Sequence, residues 1–344
     1  MNKNKAKIGV LLVNLGTPDS TATGDVRKYL REFLMDPRVI DINPIGRWFL
    51  VNLIIAPFRA PKSAHEYRKV WTDRGSPLLY HTQDVKAKLE AKLPSEDYHV
   101  EFAMRYQSPS IEAGLNRLNK ANVRKIIVVS LFPQYASATN GSVVDKVMEI
   151  ARTWQVIPNI TFVNNFVEHP KFVEAWESVS RPYTDKQEFD QYIFSYHGLP
   201  ERQIKKASCD GYCQLSEKCC ATYTKKNQFC YRAQCFLTTR LIANRLGLPE
   251  EKVKTCFQSR LGNDPWIQPY TEDVIKESAA AGNKKVLAFS PAFVADCLET
   301  TVEVGEEYKE IFMEAGGEHW ELVPSLNSTD KWVECLEDLV FQNS

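Results

Sequence analysis

The chain carries no net charge, with 43 Lys+Arg against 43 Asp+Glu. That balance lacks the basic surplus of nucleic-acid binders, so no nucleic-acid partner is expected. No glycine-rich phosphate fingerprint follows any strand pattern, which argues against a dinucleotide cofactor. The apolar run 48–58 is eleven residues long with only Asn52 polar, between Arg47 and Arg59, too short to span a bilayer. Lys3, Lys5 and Lys7 precede an apolar stretch at 8–15, but Gly16-Thr17-Pro18-Asp19 follows where a signal peptide would have a small-residue cleavage site. A cytoplasmic, reducing setting is therefore expected. Nine cysteines lack the paired spacing of a zinc ribbon, and those clustered between Cys209 and Cys235 lack ferredoxin spacing.

What remains is an ordinary globular composition, 25% charged and 44% hydrophobic, in 344 residues. That length accommodates two domains or one large one. Strand patterns fall at 8–15, 100–104, 126–130, 160–163, 192–195, 252–257, 286–289 and 320–323. Helical spacing falls between them, at 25–35, 83–93, 111–118, 143–152, 172–183, 236–246, 269–281, 296–315 and 329–341. A weak repeat links 124–130 with 284–290, and 12–18 with 193–200. Strands alternating with helices twice over predict an α/β chain of two similar doubly wound, Rossmann-like parallel-sheet domains with a cleft between them. The domains are expected at 1–155 and 156–344, the second ending in a C-terminal helix.

Tyr192-Ile193-Phe194-Ser195-Tyr196-His197-Gly198-Leu199-Pro200 places an imidazole at a strand's carboxyl end, where open α/β sheets bind ligands. His197 is thus a candidate proton acceptor or metal ligand. A helix starting near Ala295 puts Asp296, Glu299 and Glu303 on one face, with Glu306, Glu307 and Glu310 extending the acidic run. Arg105-Tyr106 ends a strand; the arginine suits either a bidentate clamp on a carboxylate ligand or an internal ion pair. The hydroxyl-rich turn 135–142, with Ser137, suits an anion site or a plain helix cap. The run 45–58 is either an exposed apolar lip, gripping a flat ligand or dipping into a membrane surface, or a buried helix. Cys209, Cys213, Cys219, Cys220, Cys230 and Cys235 share a polar window, which points to a metal or cluster, zinc included.

Ser195-Tyr196-His197-Gly198-Leu199-Pro200 followed by Phe293-Val294-Ala295-Asp296-Cys297-Leu298-Glu299-Thr300 closely resembles the ferrochelatases. Leu12-Val13-Asn14-Leu15-Gly16-Thr17-Pro18, Met104-Arg105-Tyr106, Phe132-Pro133-Gln134-Tyr135 and Phe257-Gln258-Ser259-Arg260-Leu261-Gly262 agree in matching order, over roughly residues 7–335. The resemblance implies insertion of ferrous iron into a porphyrin, protoporphyrin rather than coproporphyrin because Leu15 stands where coproporphyrin-type relatives tend to carry tyrosine. A cobalt or sirohydrochlorin chelatase of the same fold is the alternative enzyme, and an iron–sulfur or haem-binding sensor the non-enzyme one. It implies His197 as proton acceptor and iron-side ligand, Glu299 as facing carboxylate, and Asp296 and Glu303 as a path outward. The family's usual histidine after the aspartate is here Cys297. Leu34, Met35 and Trp48 would line the apolar wall and Arg105 would meet a propionate; Leu15, Tyr106 and Ser137 complete the porphyrin-side set. The lip would give peripheral contact with the inner membrane face. An insert at 208–230 looks like an internal [2Fe–2S] site on Cys213, Cys219, Cys220 and Cys230, with Cys209 in reserve and Cys235 part of the common helix.

Overall fold

Each of the eight apolar strand patterns becomes a strand, and they form two sheets of four. The computed structural model describes residues 7–260, 262 and 264–344. Lys3, Lys5 and Leu261 lie outside the described residues, as does the side chain of Glu217. In the first sheet β1 (Ile8–Gly16), β2 (Tyr98–Tyr106), β3 (Lys125–Ser130) and β4 (Asn159–Val163) run parallel in the order β2-β1-β3-β4. In the second, β5 (Gln191–His197), β6 (Val253–Gln258), β7 (Lys285–Phe289) and β8 (His319–Leu322) repeat that order as β6-β5-β7-β8.

Parallel strands covered by helices on both faces need apolar side chains on both. Hence residues 10–13 and 126–129 are fully buried, and β1 and β3 share a core with Leu115, Leu118, Val143 and Val147 from flanking helices. The second sheet is built alike: Ile193, Val286 and Ala288 pack on Ile275, Val304 and Phe312. Phe194 and Phe289 stack in neighbouring strands at 4.3 Å and 3°.

The chain divides into two compact units. One runs through Phe132 and adds Ser137–Asn165 and Asn327–Ser344; the other holds Pro133–Ala136 and Phe166–Leu326. The C-terminal helix Asp330–Gln342, expected with the second domain, belongs to the first. Lys88 holds it, with Nζ 2.8 Å from Asp330 and 2.7 Å from the Ser328 carbonyl, and Phe341 packs edge-on to Tyr98.

Two helical stretches differ from expectation. The acidic helix does not begin at 296: residues 290–297 are turn and loop, and Glu299–Glu307 forms a π-helix before Tyr308–Glu314. The apolar run sits in continuous helix, Pro44–Phe49, a π segment Leu50–Ile55, then Ala56–Val70.

Candidate active site

In an order of this kind the chain leaves β5 and β7 in opposite directions, and open α/β sheets bind ligands outside the carboxyl ends of strands at such a switch point. His197 is the last residue of β5. Its Nδ1 lies 2.7 Å from the Gly198 carbonyl, which can only accept, so Nδ1 carries a hydrogen and, in the neutral ring, the lone pair is on Nε2. Nε2 has no hydrogen-bond partner among the described residues. The Tyr231 hydroxyl donates to the His197 carbonyl at 2.8 Å and fixes the strand end. Gly198 is required by close approach: a Cβ there would lie 2.8 Å from the Gln258 carbonyl oxygen and 3.1 Å from the Trp266 ring.

The acidic segment follows β7. Asp296 lies in the turn rather than on the helix, and its Oδ1 accepts from the Ser325 amide at 3.0 Å. The expected single face of Asp296, Glu299 and Glu303 therefore does not form, because the helix starts three residues later and turns more slowly. Glu299 and Glu303 remain together on the π-helix, half-buried, whereas Glu306, Glu307 and Glu310 are exposed. Glu303 is held on both oxygens: Oε2 accepts from Gln258 Nε2 at 3.1 Å and Ser259 Oγ at 2.5 Å, and Oε1 from the Tyr308 hydroxyl at 3.0 Å. Burial, and then Glu303 itself, raises the Tyr308 hydroxyl well above its ordinary pKa, so it stays a donor. Cys297 is buried, and burial and the neighbouring Glu299 carboxylate push its thiol far up. It faces Glu299 as a neutral thiol, not as an ionisable partner.

In the first unit Arg105 is engaged internally. Its Nη2 donates to Asp36 Oδ2 at 2.7 Å and its Nε to Ser142 Oγ at 2.6 Å. The Tyr106 hydroxyl and Ser142 Oγ donate to the same Asp36 oxygen, at 2.9 and 2.5 Å. Ser137 opens a π turn and accepts from Arg38 Nη1 at 3.1 Å. Leu15 and Met35 are half-buried, and Met35 Sδ receives the Asn52 amide at 3.6 Å. The apolar run buries only one face, through Val51 and Ala56, whereas Ile45, Trp48, Phe49, Leu53, Ile54 and Phe58 are 48–77% exposed. The π segment keeps them together, since Phe49 to Ile54 is an i,i+5 step that a π turn aligns. No helix among the described residues is long and apolar enough to cross a membrane.

A family model described as Ferrochelatase matches residues 7–344. The chain belongs to the ferrochelatase family. It is 43% identical over 332 residues to a ferrochelatase of Legionella pneumophila (strain Lens), covering 96% of this chain and 98% of that one. It is 40% identical over 334 residues to one of Coxiella burnetii (strain Dugway 5J108-111), covering 97% and 93%. Among solved structures, SirB of Bacillus subtilis with Fe3+ has a TM-score of 0.55 at 11% identity, over 98% of this chain and 95% of the other. The sirohydrochlorin chelatase SirB with cobalt, from Bacillus subtilis subspecies spizizenii, gives 0.53 at 12%, over 98% and 94%. These two share the fold. The family makes this chain an enzyme that inserts iron into a porphyrin, a step of haem biosynthesis.

In this chain residues 208–230 bring Cys213, Cys219, Cys220 and Cys230 together. Cys213 meets Cys230 and Cys219; Cys220 meets Cys230 and Cys219, the last with sulfurs 4.0 Å apart. The neighbouring Cys230 holds the Cys213 and Cys220 thiols down to about 6, while its own is pushed up. The buried Arg232 donates to Cys220 Sγ at 3.1 Å. Cys209 is exposed and apart, and Cys235 is in the core. Among the described residues, no group of three or more His, Cys, Asp or Glu stands placed to hold a metal ion. Sequence reasoning gave no role to Gln258, Ser259, Tyr308 or Asp36. Gln258 and Ser259 stood inside a motif quoted for the resemblance, but nothing in their types announces partners 44 and 45 residues away.

Proposed function

We propose that this ferrochelatase inserts Fe2+ into protoporphyrin IX with His197 as the group that accepts the pyrrole protons. Insertion exchanges one Fe2+ for two N–H protons, so the site must take protons while holding a dication. The observation that carries the reading is the His197 imidazole, pinned through Nδ1 with Nε2 unpartnered among the described residues. Glu299 stands on the first turn of the π-helix as the facing carboxylate, with Glu303 one turn on and Asp296 before them. His197 and Glu299 would meet the substrate iron in turn. The exposed apolar face from Ile45 to Phe58 suits a vinyl-bearing porphyrin better than coproporphyrin with its additional propionates, and suits peripheral contact with the inner membrane face. Leu15, Met35 and Trp48 would line that wall, with Tyr106 and Ser137, bonded to Asp36 and Arg38 just after Met35, on its polar side.

The cysteine set fits a [2Fe–2S] cluster by its donor chemistry. It offers four thiols, two with lowered pKa, and a buried guanidinium donating to one sulfur. Cys213, Cys219, Cys220 and Cys230 would hold it, and it would supply a thiolate-bound cross-link between the insert and the helix Tyr231–Leu246. Arg232 stays on that helix to offset thiolate charge. Tyr231, next to Cys230, ties the junction to the His197 carbonyl.

Steady-state insertion rates of His197→Ala and Glu299→Gln test the centre. Both should fall by at least about a hundredfold with the fold retained, the range expected for removing a proton-transfer group. Near-native activity in either variant would show that the centre is assigned wrongly.

A further inference from the structure

Gln258 ends β6, directly across the register from His197 on β5, and is 2% exposed. Its carbonyl accepts from the Gly198 amide at 2.8 Å, so its backbone already grips the residue after the histidine. Its side chain is fixed at both ends. Ser195 Oγ, on β5, donates to Oε1 at 2.7 Å, which orients the amide and turns Nε2 the other way. Nε2 then donates to Glu303 Oε2 at 3.1 Å and to the Glu299 carbonyl at 3.4 Å. One neutral side chain thus spans the strand of His197 and the π-helix of both carboxylates.

The next residue reinforces the span. Ser259 has φ of 64°, a left-handed conformation that costs a serine energy and is kept where something depends on it. That turn brings its hydroxyl to Glu303 at 2.5 Å. An amide neither takes nor gives up a proton in the reaction, so Gln258 has no chemical role to fill. Its burial also means no water stands ready to replace its hydrogen bonds.

We propose that Gln258 is a positioning residue for iron insertion, setting the π-helical carboxylates Glu299 and Glu303 against the strand that carries His197. The inference rests on the assignment of those three as the working groups. Gln258→Met keeps the volume and deletes every side-chain hydrogen bond. Ser195 Oγ then keeps only Thr271 Oγ1, at 3.0 Å, and Glu303 Oε2 keeps only Ser259 among the described residues. The carboxylates are displaced while the porphyrin wall of the first unit is untouched.

The test is steady-state insertion of ferrous iron by the full-length protein, handled without oxygen, comparing Gln258→Met, Glu303→Gln, the double variant and His197→Ala. Gln258→Met should lower kcat by roughly ten- to a hundredfold, the cost of misplacing a reacting group by about an ångström. Porphyrin KM should stay within about twofold of wild type, because uniform binding is not what is lost. In the Glu303→Gln background the same change should cost less than about threefold more, since both act through one hydrogen bond. Losses that multiply, or a wild-type kcat beside an inactive His197→Ala, overturn the inference. An active His197→Ala overturns the assignment beneath it. If Gln258→Met does not fold, Gln258→Asn, which retracts the amide by one methylene, decides on the same readouts.

Discussion

Arg105 separates two readings of the first unit, a clamp on a substrate carboxylate and an internal ion pair. Asp36 is 3% exposed at its side chain and Arg105 14%. One oxygen of Asp36 accepts from Arg105, Tyr106 and Ser142, and the other accepts the Arg38 amide at 2.7 Å. Arg105→Met removes the only cation bonded to that buried oxygen among the described residues and strands the carboxylate. Breaking a buried pair on one side costs about 3–5 kcal/mol, most of it the uncompensated charge. For a unit of this size each kcal/mol lowers Tm by about 2–4 °C, so the variant should melt roughly 6–20 °C below wild type. Adding Asp36→Asn removes the stranded charge and should return part of that loss. Thermal unfolding of the three variants reads it, with porphyrin KM measured below the transition. An Arg105→Met protein that melts with wild type and needs more than about tenfold more porphyrin would refute the internal account, since that pattern is lost substrate binding.

Replacing Trp48 and Phe49 with serine should raise porphyrin KM and weaken liposome association. Each ring is already about half exposed, 48% and 52%, so Tm should move little; a large loss of Tm would mean the run packs as core. Protein purified without oxygen should carry about two irons and two sulfides per chain and absorb as a thiolate cluster. Serine at Cys213, Cys219, Cys220 or Cys230 should bleach it and serine at the exposed Cys209 should not; stoichiometric zinc without sulfide refutes the cluster. Tyr308 has a folded-state pKa raised far above its ordinary 10, first by burial and then by Glu303. Its contribution to stability is complete below pH 10 and lost as pH rises beyond it. Urea unfolding at pH 8 and 10.5 should therefore show a steeper loss for wild type than for Tyr308→Phe; equal slopes would contradict this.

The sheets were legible because a parallel strand buried on both faces reads as a continuous apolar run, and 126–129 has no polar residue at all. His197 was legible for the same reason: the run before it stops at a titratable group. The acidic run after β7 was visible in the sequence, but the common face expected of its carboxylates was misread. Asp296, Glu299 and Glu303 match an α-helical face, and no residue pattern announces i→i+5 bonding in its place. The two alternatives for Arg105 rested on a partner 69 residues away, which spacing alone does not reveal.

The repeat explains why one scaffold carries unlike chemistry in its two copies. The paired motifs 12–18 and 193–200 end the first strand of each sheet, β1 and β5, at the same place in the strand order. In both, a glycine lets that end approach the end of the second strand. A Cβ on Gly16 would lie 2.0 Å from the Tyr106 carbonyl, as one on Gly198 would lie 2.8 Å from that of Gln258. The backbone device is shared, and the side chains around it are not. Leu15 precedes the first glycine and His197 the second. Beyond the first, the charges of Arg105 and Asp36 close on each other and on Tyr106 and Ser142. Beyond the second, every donor to Glu303 is neutral, so its charge is oriented without being cancelled by a cation. A site that must attract Fe2+ and move protons needs uncancelled carboxylate charge and an imidazole nitrogen left open. Among the described residues only the second copy keeps both at its strand end, which supports the proposal that proton transfer and metal delivery belong there and the apolar wall to the first copy.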